Sequence, residues 1–160
     1  MDFFYCRRSS DLIVLSAALY ACFGRFGMWK VLLKLLAGRR VFYGIMHSVA
    51  GESIVHYGWI SLGFCRYYPV ERSAAVVGPV WTAPVARGGG LAIRALKLAL
   101  NELAQAGIER VYIDTSEDNA AMLRVIRHCG FDVLAGEYQR RYTVKPGGIF
   151  RFNPSENGKR

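Results

Sequence analysis

Apolar and polar residues along this chain follow two rhythms. Between residues 40 and 82 the rhythm is that of strands. Arg40–Val49 and Ser53–Phe64 read as two strands joined at Gly51-Glu52, a hairpin turn. Alternation in the second sends His56 and Gly58 to one face and Tyr57 and Trp59 to the other. An apolar run, Ala74–Trp81, carries the β-branched Val76, Val77 and Val80 and reads as a buried strand. Pro84 stops it, because proline has no N–H to give to a ladder. Beyond three consecutive glycines the rhythm becomes helical. Arg94, Lys97, Asn101 and Gln105 step by three, four and four, while Ala92, Ala95, Leu96, Ala99 and Leu103 line the opposite side. Gly107 sits where a helix-ending glycine would.

The rest of the chain reads by the same rules. Asp2–Cys6 forms a short first strand. Asp11 is placed to cap a helix over Leu12–Phe23, which Gly24 and Gly27 break. A second helix covers Met28–Leu36, with Trp29, Leu32, Leu33 and Leu36 on one side and Lys30 and Lys34 on the other, and ends at Gly38. Arg110–Thr115 is a strand and Asn119–Cys129 a helix whose apolar side carries Met122, Leu123, Val125, Ile126 and Cys129. Phe131–Leu134 and Gln139–Val144 form a closing hairpin. Pro146-Gly147-Gly148 and the polar stretch from Asn153 to Arg160 are expected to be loose. The order is helices, antiparallel strands, then strand–helix–strand–helix–strand. It predicts an α/β fold with a mixed, mostly antiparallel sheet and one parallel strand pair, joined by a right-handed crossover. One domain over residues 1–150 is expected, with 151–160 a tail.

Composition narrows the partners. The chain has 160 residues, 52% hydrophobic and 21% charged, which marks it as globular. Its net charge of +9 calls for an acidic partner, and a phosphorylated small molecule suffices. No basic cluster interleaved with stacking aromatics suggests nucleic acid. The four cysteines, Cys6, Cys22, Cys65 and Cys129, show no metal-ligand or disulfide spacing, so reduced thiols and no metal are expected. The apolar run Leu12–Phe23 is shorter than the roughly 20 residues that span a bilayer. The two apolar helices with basic flanks instead pack on the sheet around a substrate cleft. Rest on a membrane surface is the alternative.

The chemistry concentrates at Trp81–Ala92. A strand feeding a glycine-rich turn that opens a helix makes an anion site, because the first helical N–H groups lack partners and the helix dipole favours negative charge. A tight structural turn is the plainer reading. A phosphate loop ending in Gly-Lys-Ser/Thr is excluded, since Gly90 is followed by Leu91-Ala92, and a dinucleotide fingerprint is excluded by Ile93 at its third glycine. Arg87, Gly90 and Ala92 do fit Arg-x-x-Gly-x-Ala. This resembles the pyrophosphate motif of the GNAT (GNAT-family N-acetyltransferase) superfamily of acyltransferases. A second block, Asp118-Asn119-Ala120-Ala121-Met122-Leu123 through Cys129-Gly130-Phe131, resembles that family's asparagine-initiated helix ending in Gly-Phe. The resemblance covers about residues 40–145.

It implies an acyl-CoA N-acyltransferase fold with splayed central strands, and acyl transfer from acetyl-CoA or another acyl-CoA to an amine by direct attack. Val80, Trp81 and Thr82 would present the strand edge to the pantetheine arm. The Thr82 backbone N–H would face the thioester carbonyl and stabilise the tetrahedral intermediate, at about 3 kcal/mol for one fixed donor. Arg87, Gly88, Gly89, Gly90, Leu91 and Ala92 would hold the pyrophosphate. Asn119 would reach the pantetheine, although a helix N-cap explains it equally. Many members carry a tyrosine acid seven residues after that asparagine; here the position is Ile126. His56, Asp114 and Glu71 are the candidates for the base. Arg66, Tyr67 and Tyr68 are candidates for binding a small-molecule acceptor such as an amino sugar or sugar nucleotide. A homodimer is compatible with the sequence. A protein N-acetyltransferase and a catalytically degenerate CoA-binding module are the rival readings. A CoA enzyme belongs in the cytoplasm.

Overall fold

The computed structural model describes residues 1–8, 11, 16–47, 53–133 and 147–152. Its elements run β1 (Asp2–Cys6), α1 (Ser16–Leu36), β2 (Arg40–His47), β3 (Ser53–Leu62), β4 (Ala74–Thr82), α2 (Leu91–Gln105), β5 (Arg110–Ser116), α3 (Ala120–His128), β6 (Asp132–Val133) and β7 (Gly147–Phe152). The strands form one mixed sheet in the order β1-β2-β3-β4-β5-β7-β6, in which β4 and β5 are the parallel pair.

Each face of the sheet is covered by one apolar layer. Val41, Tyr43, Ile45, Ile60, Val77, Val111 and Ile113 pack against Leu91, Ala95, Leu96, Ala99 and Leu103 of α2. The helical spacing assigned Ala95, Leu96, Ala99 and Leu103 to this side; Leu91 joins them, while Ala92, assigned there too, is only half-buried. Phe42, Ile54 and Trp59, on the other face, pack against Ala18, Leu19, Val31 and Leu35 of α1. Both later helices end in the same motif. Beyond α2, Ile108 N–H donates to Leu103 and Gly107 N–H to Ala104; beyond α3, Phe131 N–H donates to Ile126 and Gly130 N–H to Arg127.

Two local expectations change, at Gly27 and at Gly147-Gly148. Gly24 does interrupt α1, with φ 65 and ψ 179, but Gly27 does not; the helix resumes at once and runs to Leu36. The Asp11 carboxylate accepts from the Arg7 and Arg8 N–H groups, at 2.9 and 2.8 Å, closing the turn after β1; the helix start it was expected to cap lies outside the described residues. Gly147 and Gly148 pair with Ser116 and Thr115 at the start of β7, which continues to Phe152 and pairs with β6. The Gly51-Glu52 turn, the start of the first helix at Leu12 and the strand expected over Gln139–Val144 lie outside the described residues. Among the described residues no helix is long and apolar enough to cross a membrane.

Candidate functional site

The parallel pair holds together for only four rows, Ala74–Val77 against Arg110–Ile113. Beyond them β4 continues to Thr82 and β5 to Ser116 without pairing to each other. Gly78, at φ +140, and Pro79 follow directly, and Pro79 has no N–H with which to extend the ladder. β4 stays attached to β3 across an irregularity, with Val80 opposite Gly58, Trp81 opposite Tyr57 and Thr82 opposite His56. Ala83 N–H donates to the Val55 carbonyl on that side at 2.9 Å. Main-chain groups alternate along a strand, so the Thr82 N–H points the other way, into the gap.

A cavity of about 540 Å³ opens at this gap. Val77, Gly78, Pro79 and Val80 line it from β4, Ile113–Ser116 from β5, and Asn119 and Met122 from α3. Arg66 and Tyr67 come from the loop after β3, and Lys34 and Arg40 from the α1–β2 junction.

At the far end of β4, a short turn over Pro84–Ala86 leads to the glycines. Gly90 occupies the position before α2 at φ 72, in the left-handed region, and no side chain caps the helix. A Cβ added at Gly88 or Gly90 would meet nothing within 4 Å. The turn is therefore an open cradle with the bare amides of Leu91, Ala92 and Ile93 above it. Arg87 is exposed, and its Nε donates to the Thr82 carbonyl at 3.2 Å, tying the turn to the strand end.

Asn119 caps α3: its Oδ1 accepts from Met122 N–H at 3.1 Å. Because that bond uses the oxygen, the amide NH2 remains to serve the cavity that Asn119 lines.

The three base candidates separate in space. Asp114 lines the cavity and accepts from the Tyr68 hydroxyl at 3.3 Å. Burial, then the Asp114 charge, pushes the Tyr68 phenol far up. Tyr68 is itself buried, whereas Arg66 and Tyr67 of the same loop reach the cavity. His56 lies on the α2 face beside Tyr43, away from the cavity lining. Its Nδ1 is 2.8 Å from Thr82 Oγ1, and its buried Nε2 finds no partner among the described residues. Burial holds its pKa down at about 4. Glu71 sits at the start of the β4–β5 pair, bound to Arg110 and accepting from Tyr112 at 3.0 and 3.2 Å. Cys129 is buried, and burial pushes its thiol up to about 11, so it stays protonated in the core. Among the described residues no three His, Cys, Asp or Glu side chains group to hold a metal.

A mixed sheet whose central parallel strands part beside an uncapped helix start defines the acyl-CoA N-acyltransferase fold. The model of the Acetyltransferase (GNAT) family matches residues 48–131, and the chain belongs to that family. Solved structures agree on the fold. Ribosomal-protein-S5-alanine acetyltransferase from Vibrio fischeri is 14% identical at TM-score 0.70, over 96% of this chain and 93% of that one. A chimera of Vibrio cholerae spermidine N-acetyltransferase and hSSAT is 11% identical at TM-score 0.70, over the full length of both. YncA of Salmonella typhimurium, solved with its cofactor acetyl-CoA, is 17% identical at TM-score 0.59, over 96% and 93%. Comparison with curated proteins yields no match.

Proposed function

We propose that this protein transfers an acetyl or related acyl group from acyl-CoA to an amine of a small molecule. The observation that carries the reading is the parting of β4 and β5 after Val77 and Ile113, with the bare amides of α2 at one end of the gap. The pyrophosphate would lie on the amides from Gly88 to Ala92, and the Arg87 guanidinium would add a charge-assisted contact. The pantetheine arm would run along Val80, Trp81 and Thr82 and take a hydrogen bond from the Asn119 amide. The acceptor nitrogen attacks the thioester carbonyl, a C–N bond forms, and the C–S bond breaks as CoA thiolate leaves. The Thr82 N–H would hold the oxyanion while this happens.

Asp114 is the candidate that meets the cavity, so we assign it the acceptor's proton. His56 lies on the opposite face and would instead act as a strut under Thr82. Ile126, where many family members carry a tyrosine acid, is fully buried in the core. The thiolate would then take its proton from water or from a hydroxyl lining the cavity. That same residue favours a second reading, a CoA-binding module that does not catalyse. A CoA-dependent reaction places the protein in the cytoplasm.

Free-thiol release from acetyl-CoA with a panel of small amines separates the two readings. Release above hydrolysis, lowered by about 100-fold or more in Asp114→Asn with the KM for acetyl-CoA unchanged, supports the assignment. Acetyl-CoA binding without release with any amine would favour the module.

A further inference from the structure

Three cations line one end of the cavity: Lys34 from the end of α1, Arg40 from the start of β2 and Arg66 from the loop after β3. Among the described residues none has a carboxylate partner. The one ion pair among the described residues joins Arg110 to Glu71, and Glu71 is already engaged there. Lys34 lies over the Trp59 ring instead, 4.7 Å from its centroid. Burial, and then the like charges of Arg40 and Lys30, push the Lys34 ammonium down.

This charge is not where the pyrophosphate cradle is. Arg40 pairs with Ser61 and Ser61 with Val76, whereas the cradle follows Thr82. Six residues of strand separate the two rows, about 20 Å. The cradle has its own donors, so the cations are free for a second anion.

The cavity is also polarised. Arg40, Ser61, Val76 and Tyr112 are cross-strand partners and share a face, and Asp114, two residues after Tyr112, shares it too. Arg40 and Asp114 are three strands apart, about 14 Å of sheet width. Both side chains reach into the space between. One end of a single cavity thus carries three cations that no described carboxylate pairs, while the other, where the strands part, carries a carboxylate.

Resting on the acyltransferase reading above, we infer that the acceptor is a small primary amine bearing a phosphate or carboxylate. Its ammonium meets Asp114 at the strand gap and its anionic group meets Lys34, Arg40 and Arg66. The anion anchors the molecule, and Asp114 accepts the proton as the nitrogen attacks. A polyamine would face repulsion at the cationic end, and a neutral amine would leave it unpaired.

The test titrates two matched pairs into the protein by calorimetry, with and without bound CoA: glucosamine 6-phosphate against glucosamine, and 6-aminohexanoate against its amide. Spermidine is the cationic comparison. The pairs show whether phosphate or carboxylate is preferred. At least one anionic member should bind tenfold or more tightly than its neutral partner, and spermidine should bind worst. Arg40→Gln and Arg66→Gln should each remove most of that preference. Lys97→Gln, the same charge change on the exposed side of α2, should leave it intact. Equal binding within both pairs, tighter binding of spermidine, or no binding by any of the five compounds overturns the inference. Acetyl-CoA is titrated separately. Its failure to bind would sink the acyltransferase reading, while the anion preference is judged on the acceptor titrations alone.

Discussion

The two later helices begin in opposite ways. The start of α3 is closed by its own sequence, with Asn119 Oδ1 accepting from Met122 N–H. The start of α2 has no such cap, and the three residues before it are glycines without side chains. What holds α2's entry in place comes from outside the turn. Arg87 ties back to the Thr82 carbonyl, and His56 braces the Thr82 hydroxyl. A capped start contributes to stability. An open start forgoes that contribution and keeps several amides available to a ligand.

The contrast can be broken most severely at Gly90. Gly90→Glu would place a carboxylate among the bare amides, where like charge against a phosphate costs several kcal/mol. Acetyl-CoA at 100 times its dissociation constant should stabilise the native protein by about 2.7 kcal/mol, and thermal unfolding of Gly90→Glu should show none of that shift. A full shift in this variant would remove the cradle from the cofactor site.

The brace is next. Burial holds the His56 pKa at about 4, below its ordinary value of 6.5, so the unfolded chain binds more protons between those values. Stability should be level above about pH 6.5 and fall as the pH drops, by about 3 kcal/mol on reaching pH 4. Urea unfolding across that range checks it, and His56→Gln should flatten the dependence.

The cap comes third. Asn119→Ala should cost about 1 kcal/mol. Asn119→Asp keeps the capping oxygen and loses the amide donor. It should hold stability near the original while raising the KM for acetyl-CoA, which separates the two uses of one side chain. The smallest effect belongs to Arg87→Ala. It removes an exposed hydrogen bond and should change stability by under about 1 kcal/mol, with a several-fold rise in the dissociation constant of acetyl-CoA by calorimetry.

Much of this was legible locally. The buried side of α2, the helix-ending Gly107 and Gly130 and the parallel β4–β5 crossover follow from spacing and turn chemistry alone. So does the exclusion of a phosphate loop, because it depends on adjacent residues. What failed to show was non-local. Lys34, read as the polar side of a surface helix, joins Arg40 and Arg66 only when three separate elements meet at one cavity. Asp114 and Tyr68 are 46 positions apart, and nothing near either announces their bond. Residue type does not separate Glu71 and His56 from Asp114 as bases: His56 occupies the other face of the sheet, and Glu71 sits at the opposite end of the β4–β5 pair, bound to Arg110 and Tyr112. Gly27 read as a breaker, yet a glycine whose neighbours continue the helix is carried along by the packing of Val31 and Leu35.

The four paired rows between β4 and β5 have a structural consequence. Seven strands joined across the middle by so short a seam make two plates, β1 to β4 on one side and β5, β7 and β6 on the other, with α2 packed across both. An extended guest lying along the free edge of β4 would fill the wedge between them and complete the sheet where the strands part. On the acyltransferase reading proposed above, that guest would also set the register between Thr82 on one plate and Asp114 on the other.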